Sequence, residues 1–471
     1  MSPLYARRYT STVAEITCLS LRSKWAAGDR TLIIYEMDNA VALERIQRIR
    51  ERFPKQGLFA QKDWLISPQP FIIEAEFADE LERLGHWLLK FVRKSNLLYH
   101  LSVKGKQPRW ISSYLDAGKP DSLLELSQKY RYEIPQVIRP DIILTDEGYA
   151  ISELDSVPGG IGLTGWLSQT YGGLGFDVLG GEDGMIEGFR SILPGGVVAV
   201  STESETYRPE MQWLCEQLSS RFGPNWHVVS AEDWDFRASD PVYRFFELFD
   251  VPNLPSKESL LAAAASDRFK ITPPLKPYLE EKSWFALFWS KPLESFWRRE
   301  LRSSHWRRLR SLLPRTWVID PAPVPHHAVI PGLGIQNWRD LKKFSQRQRE
   351  FVLKVSGFSD LAWGSRGVYA GQDLPQKEWA DRVEQAIESF ADGPYVLQKF
   401  FKGRLVKHPF FNSETQSIET LVGRVRLCPY YFVTSEKKVR LGGALATIVP
   451  ADKKFVHGMR DGIMVPVAVE I

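Results

Sequence analysis

A mixed α/β (α+β) chain is what this sequence predicts, and three patterns predict it. Residues 138–144 and 149–155 alternate like strands around Asp146-Glu147-Gly148, a loop with glycine in the position that needs φ > 0. From Gly195 the pattern runs strand (196–200), helix (209–221), strand (226–230), a small unit of Rossmann-like character. Residues 351–401 then give a strand, a glycine-bearing segment, a helix (376–390) and another strand (395–401).

Size and composition narrow the class. A chain of 471 residues has room for substantial cores, and 44% hydrophobic with 25% charged residues is ordinary for a globular protein. The net charge of +4 is too mild to imply a nucleic-acid partner. Cys18, Cys215 and Cys428 are far apart and odd in number, which points to a reducing compartment and against a disulfide framework or a cysteine-rich zinc site. The start, MSPLYARRYTSTVAEI, has arginines but no apolar stretch of signal-peptide length behind them. Nothing approaches the ~20 apolar residues of a membrane span, so a cytoplasmic protein without membrane partners is expected. Oligomeric state stays open, a homodimer included. The 16 tryptophans imply a large core with aromatic-lined clefts, without naming a ligand.

In order along the chain, residues 1–130 read as a mixed region, with a strand at 32–35 and amphipathic helices at 41–53 and 79–94. The hairpin comes next. If Thr145 pairs with Tyr149, Asp141 falls opposite Glu153 and Arg139 opposite Asp155, all on one face. Three acids side by side repel one another and call for cations; Mg²⁺ with nucleotide phosphates supplies them. A half-solvated hairpin whose charges face water is the plain alternative. The glycine-rich run 158–165 is either a tight connection or a backbone cradle for a substrate carboxylate. Prolines in 252–280 read as a connection between lobes, and a helix starts near Glu280.

Segment 296–315 carries seven arginines, with Trp297, Leu301, His305, Leu309 and Leu312 at helical spacing, so the arginines line the other side; a solvated helix face is the plain reading, and a patch for an acidic partner or polyanionic substrate the alternative. His326-His327 lacks a nearby cysteine or acid and gives no zinc reading; His457 has no assigned role. In the last third, Lys354 sits in the apolar run 351–355, and glycines follow at 357, 364 and 367. Gln398 and Lys399 lie on the strand 395–401, and strands at 421–433 and 438–449 are joined by 434–437. By pattern alone a lysine such as Lys354 is more often at a sheet edge than on a ligand, and Gln398 and Lys399 are more often plain strand residues.

A lysine-bearing strand, a glycine-rich segment, a helix and the strand Y-V-L-Q-K-F-F together resemble the nucleotide-holding half of an ATP-grasp domain. Here the acid hairpin precedes that half, an order similar to the circularly permuted ATP-grasp family of glutathionylspermidine synthetase and its uncharacterised bacterial relatives. Arg139, Asp141 and Glu153 stand at the family's offsets, with Asp155 in place of an asparagine. Residues 280–289, EEKSWFALFW, resemble the family's N-K-a-x-L-x-x-L-W helix and point to Lys282. Lys354 matches the second ATP lysine, and Arg424 and Arg426 lie where the family has a late phosphate-contacting arginine. The synthetase's substrate serines fall here on Pro158 and Gly160, so its thiol-peptide and amine-acceptor specificities are not carried over; an amidase domain is not expected either. The resemblance covers roughly residues 131–471 and is best at the hairpin.

The resemblance implies a circularly permuted ATP-grasp fold with an inserted Rossmann-like unit. It divides the chain into 1–130 (mixed N-terminal region), 131–194 (core, metal hairpin), 195–280 (Rossmann-like substrate unit) and 281–471 (lid and nucleotide-binding core). It implies an ATP- and Mg²⁺-dependent carboxylate–amine ligase acting through an acyl phosphate, on a small-molecule or peptide carboxylate and an amine acceptor. Asp141, Glu153 and Asp155 would hold Mg²⁺. Arg139, Arg424 and Arg426 would meet the transferring phosphoryl group, and Lys282 and Lys354 the α- and β-phosphates. Gly364, Ser365, Arg366 and Gly367 would close over the phosphates, Ser365 and Arg366 touching the γ-phosphate, with Gln398, Lys399 and Phe400 at adenine and ribose. The alternatives are a degenerate module that binds nucleotide or a partner without catalysis, and a phosphotransferase on the same fold.

Overall fold

The computed structural model describes residues 38–54, 64–238, 240–266, 269–362, 366–453 and 461–470, and in it the strands Val137–Thr145 and Gly148–Asp155 form the antiparallel hairpin. Gly148 has φ +139°, as the turn requires. The turn is tighter than expected, because Thr145 pairs with Gly148 rather than Tyr149 and only Asp146-Glu147 remains as loop. One residue, Ser152, then bulges between Ile151 and Glu153 and restores the register. Asp141 therefore does face Glu153, and Arg139 faces Asp155.

The hairpin ends a seven-stranded sheet ordered Phe71–Ile73, Ile463–Val469, Val439–Pro450, Ser417–Val433, Val137–Thr145, Gly148–Asp155. Ser417–Val433 is long enough to pair with Leu405–Asn412 over its first half and with Val137–Thr145 over its second. Leu405–Asn412 and Ile463–Val469 are strands beyond those expected from the sequence. Helix Ala75–Val103 is longer than the expected 79–94. Its face Leu81, Leu84 and Leu88 is fully buried. Gly85 lets it approach the sheet, since a Cβ there would lie 2.5 Å from the Tyr431 ring. Helix Asn39–Glu51 stands at the expected 41–53, while the expected strand 32–35 and His457 lie outside the described residues.

A second sheet is wholly parallel, ordered Trp226–Ser230, Gly196–Val200, Val242–Phe245, Ile271–Thr272. Its central strand Gly196–Val200 is buried throughout, the pattern of a strand covered on both faces. Residues 252–280, expected as a connection, instead supply helix Lys257–Ala265 and the last strand of this sheet. The third sheet is antiparallel: Val368–Ala370, Phe351–Val355, Tyr395–Lys399, Thr316–Val318. Trp379 and Val383 from helix Gln376–Glu388 pack on it with Leu353 and Leu397. Lys354 is thus on an interior strand, not an edge.

The arginine-rich segment is two helices, Glu294–Leu301 and Ser303–Leu312, broken at Arg302 with φ +64°. Its charges are partly spent on packing: Arg308 pairs with Glu80, and the Arg310 guanidinium lies 3.7 Å over the Trp289 ring. Among the described residues no helix is long and apolar enough to cross a membrane.

Candidate active site

The acid face of the hairpin is built by strand alternation. Arg139, Asp141 and Ile143 on one strand face Asp155, Glu153 and Ala150 on the other. Ser417–Val433 continues the face, with Arg426 opposite Ile143. Arg139 bridges the acids, donating from Nε to Asp141 Oδ1 at 3.0 Å and from Nη1 to the Gly159 carbonyl at 3.1 Å. Its Nη2 lies 3.0 Å from Asp155 Oδ2. Arg426 Nη1 donates to the other Asp141 oxygen at 3.0 Å, and the Cys428 thiol lies 3.5 Å from Oδ1. Asp141, 7% exposed, is therefore held between two guanidiniums.

Two lysines arrive from elsewhere. Lys282, just ahead of helix Ser283–Trp289, pairs with Glu153 at 3.2 Å. Lys354, from the third sheet, donates to the Ser152 carbonyl at 3.0 Å. The bulge that restores the register thus also presents an acceptor to this lysine. Ser152, Glu153, Lys354 and Gln398 stand between two adjoining cavities. The more charged one encloses about 850 Å³ of non-protein space, open solvent included, and is lined also by Asp141, Arg424, Arg426, Lys399 and Phe400. The other, about 630 Å³ on the same measure, lies on the Lys282 side and has mostly apolar walls.

The charges tune one another. Burial pushes the Glu153 carboxyl up, but Lys282 and Lys354 outweigh it and hold the group below its ordinary value. Asp155 is raised by burial, offset in part by Arg139 and by the Val157 amide. Burial lowers Lys354, with Lys282 adding to the effect against the pull of Glu153. Burial works against the Lys282 charge too, yet Glu153 and Glu247 keep that ammonium above its ordinary value. Glu247 itself is driven well up by burial and by neighbouring Glu280, whose carboxylate accepts from Arg244 Nη2 at 2.5 Å.

Two groups of the expected chemistry can be tested for fit. Among the described residues Arg426 Nε is buried without a hydrogen-bond partner, and Arg426 lines a cavity that also carries Lys354 and Lys399, which fits an anionic ligand such as a nucleotide phosphate. For Mg²⁺ the donor chemistry fits, since that ion takes one or two carboxylates and completes its shell with phosphate and water. A ready-made three-acid cage does not exist among the described residues, because each acid is turned to a cation of this chain.

Arg139, Asp141, Glu153, Asp155, Lys282, Lys354, Gln398, Lys399, Phe400, Arg424 and Arg426 thus lie on or beside the two cavities. Three directions of the Arg139 fork are taken up by the hairpin and Gly159, so this arginine braces the acids. Arg424 donates to the Gly403 carbonyl at 3.2 Å and to the Ala451 carbonyl. Arg366 and Gly367 line neither cavity: Arg366 lies 3.5 Å from Glu203, and the Gly367 amide bonds the Leu361 carbonyl. Gly364 and Ser365 lie outside the described residues. The glycine-rich run is no open cradle. It starts helix Ile161–Gly172, and the buried Glu210 carboxylate accepts from the Gly160 and Leu163 amides at 2.7 and 3.1 Å.

Further residues join the site. Cys428 and Tyr430 follow Arg426 at strand spacing, and the Tyr430 hydroxyl donates to the Gly159 carbonyl at 2.7 Å; the i, i+2, i+4 pattern was the available signal. Glu281, next to Lys282, forms a buried pair with Lys119 at 2.5 Å. Its carboxylate also accepts from Ser356 Oγ and from the Gly357 amide, so it ties the lysine strand's end to the Lys282 helix. Glu247, Glu280 and Ser152 carry no sequence signal of comparable strength.

No family model and no curated protein matches the chain. Among solved structures, it is similar to a glutathione synthetase-like effector from Globodera pallida in its apo form, with a TM-score of 0.53 and 13% identity over 92% of this chain and 98% of that one. A weaker overlap, TM-score 0.39 and 12% identity over 75% and 85%, is with a "Putative gamma-glutamylcysteine synthetase" from Methylobacillus flagellatus; no argument rests on it. The first likeness is one of fold: this chain has a mixed α/β architecture compatible with an ATP-grasp-like fold.

Proposed function

We propose that this protein is an ATP- and Mg²⁺-dependent carboxylate–amine ligase that forms an amide or peptide-like bond through an acyl phosphate. One observation carries the reading: three hairpin acids meet Lys282, Lys354 and Arg426, from three distant segments, where two cavities join. Likeness in fold to a glutathione synthetase-like effector supports it. In the reaction a substrate carboxylate oxygen attacks the γ-phosphorus and ADP leaves; the amine then attacks the acyl carbon, phosphate departs and the nitrogen loses a proton. Phosphoryl transfer asks the protein mainly for alignment and charge. Lys354, Lys282 and the orphan Nε of Arg426 would take phosphate oxygens, with Arg424 beside them. Mg²⁺, held by Glu153 with Asp141 or Asp155, would supply neutralisation of phosphate charge. Arg139 keeps the acids in position, and Gln398, Lys399 and Phe400 would line the base end of the nucleotide.

The test is an ADP-release assay over mixed carboxylates and amines. Lys354→Ala and Asp141→Asn should each lower turnover by about two to three orders of magnitude with an unchanged circular-dichroism spectrum. Near-normal turnover in either variant would refute the mechanism. A different observation favours nucleotide binding without catalysis: each acid is already paired with a cation of this chain. Under that reading ATP with Mg²⁺ raises the melting temperature by linkage, yet no carboxylate–amine pair releases ADP. A phosphorylated product in place of an amide would identify a phosphotransferase.

A further inference from the structure

The second cavity has walls unlike the first. Its apolar walls include Phe91 of helix Ala75–Val103, Ile138 and Leu154 of the hairpin, and Trp284 and Phe285 of helix Ser283–Trp289. Charged groups of the candidate site line it as well: Glu153, Asp155, Lys282 and Lys354, with Glu281. The hairpin strand it follows is the last in its sheet, so no further strand covers that side. Interiors are packed as densely as organic crystals, and a void against five large apolar side chains needs a reason. Water is a poor filler, because an ordered water wants several polar partners. Polar groups on the lining come mostly from the hairpin and the lysine segments; helix Ala75–Val103, beside Phe91, adds Ser95, 1% exposed, whose hydroxyl has no hydrogen-bond partner among the described residues. The Trp284 indole N–H is already satisfied by the Tyr278 carbonyl at 2.6 Å, so its ring contributes apolar surface only.

We propose that this cavity is a subsite for an aromatic-sized apolar group carrying one hydrogen-bonding atom, of phenol or indole type, and that Ser95 receives that atom. Its meaning rests on the ligase reading: the group is the side chain of one of the two substrates, whose reacting end lies at Glu153 and Lys282. Arg424, Arg426 and Lys399 line only the other cavity, and Lys354 lines both, so the triphosphate would sit at the shared wall with Lys282 reaching it from this side and the apolar walls here would be left to the substrate.

The chamber can be probed without knowing the substrate. Saturation-transfer NMR and calorimetry on the full chain would use p-cresol and indole, with toluene as a probe that lacks the polar atom. All three should bind saturably. Ser95→Ala should weaken p-cresol and indole by about fivefold and leave toluene unchanged. Val92→Phe, on the lining of the same cavity, should weaken all three by about tenfold or more. Absence of saturable binding overturns the proposal, as does equal binding by the Val92→Phe protein. Competitive displacement of the probes by a non-hydrolysable ATP analogue with Mg²⁺ also overturns it, since the chamber would then hold the nucleotide base. Probe binding with no ADP release for any substrate pair keeps the subsite and rejects the ligase reading.

Discussion

Replacing Lys119 by methionine tests how the site is anchored. The Lys119 and Glu281 side chains are 0% and 1% exposed and 2.5 Å apart, so methionine strands a carboxylate with almost no access to water. Losing one partner of a buried pair typically costs about 3–5 kcal/mol. Glu281 keeps the Ser356 hydroxyl and the Gly357 amide as donors, which places the expected loss near the lower bound, about 3 kcal/mol. Removing both charges in Lys119→Met/Glu281→Gln should restore most of that loss, leaving a deficit of about 1 kcal/mol. The four proteins form a double-mutant cycle read by urea unfolding, with hydrogen exchange at the Gly357 amide as a local report. The amide should exchange faster in Lys119→Met, and the melting-temperature rise given by ATP with Mg²⁺ should shrink, because Glu281 adjoins Lys282. A single-variant loss below about 1 kcal/mol, with unchanged exchange, would refute the claim that this pair is desolvated and tethers the lysine strand to the Lys282 helix.

Other perturbations have equally definite outcomes. Glu210→Ala leaves two buried helix-terminal amides without an acceptor and should cost about 2–3 kcal/mol by urea unfolding; a loss of a few tenths would show that water reaches them. Arg302→Gly should raise stability by up to about 1 kcal/mol, since φ +64° at that helix break suits glycine; a fall in melting temperature would contradict it. Lys276 supplies a pH test. Burial lowers its pKa from 10.5 to about 7, so between those values the unfolded chain holds a proton that the folded one has shed. Stability from this group is therefore greatest above pH 10.5 and is lost as pH falls through about 7. Relative to Lys276→Met, the wild type should gain stability with rising pH at no more than about 1.4 kcal/mol per unit, and a flat difference across that window would refute it.

Local rules made much of the hairpin legible. Alternation placed Arg139, Asp141, Glu153 and Asp155 on one face, and Gly148 marked the turn, although the assumed loop was one residue too long and only the Ser152 bulge made the acid pairing come out as expected. The strand–helix–strand of the parallel sheet and the strand bearing Lys354 are local in the same sense. The strands Leu405–Asn412, Ile463–Val469 and Ile271–Thr272 and the break at Arg302 carried no comparable local signal, and packing in three dimensions decided them.

What the chain specifies by itself are periodicities, turns and the chemical types a site needs, since these act over a few residues. Which cation meets which acid was decided only in three dimensions: Lys282 reaches Glu153, Arg426 reaches Asp141, and Glu210 fills the glycine-rich helix start. Charge attraction has no sequence range, and a buried carboxylate takes whichever partner packing brings within hydrogen-bond distance.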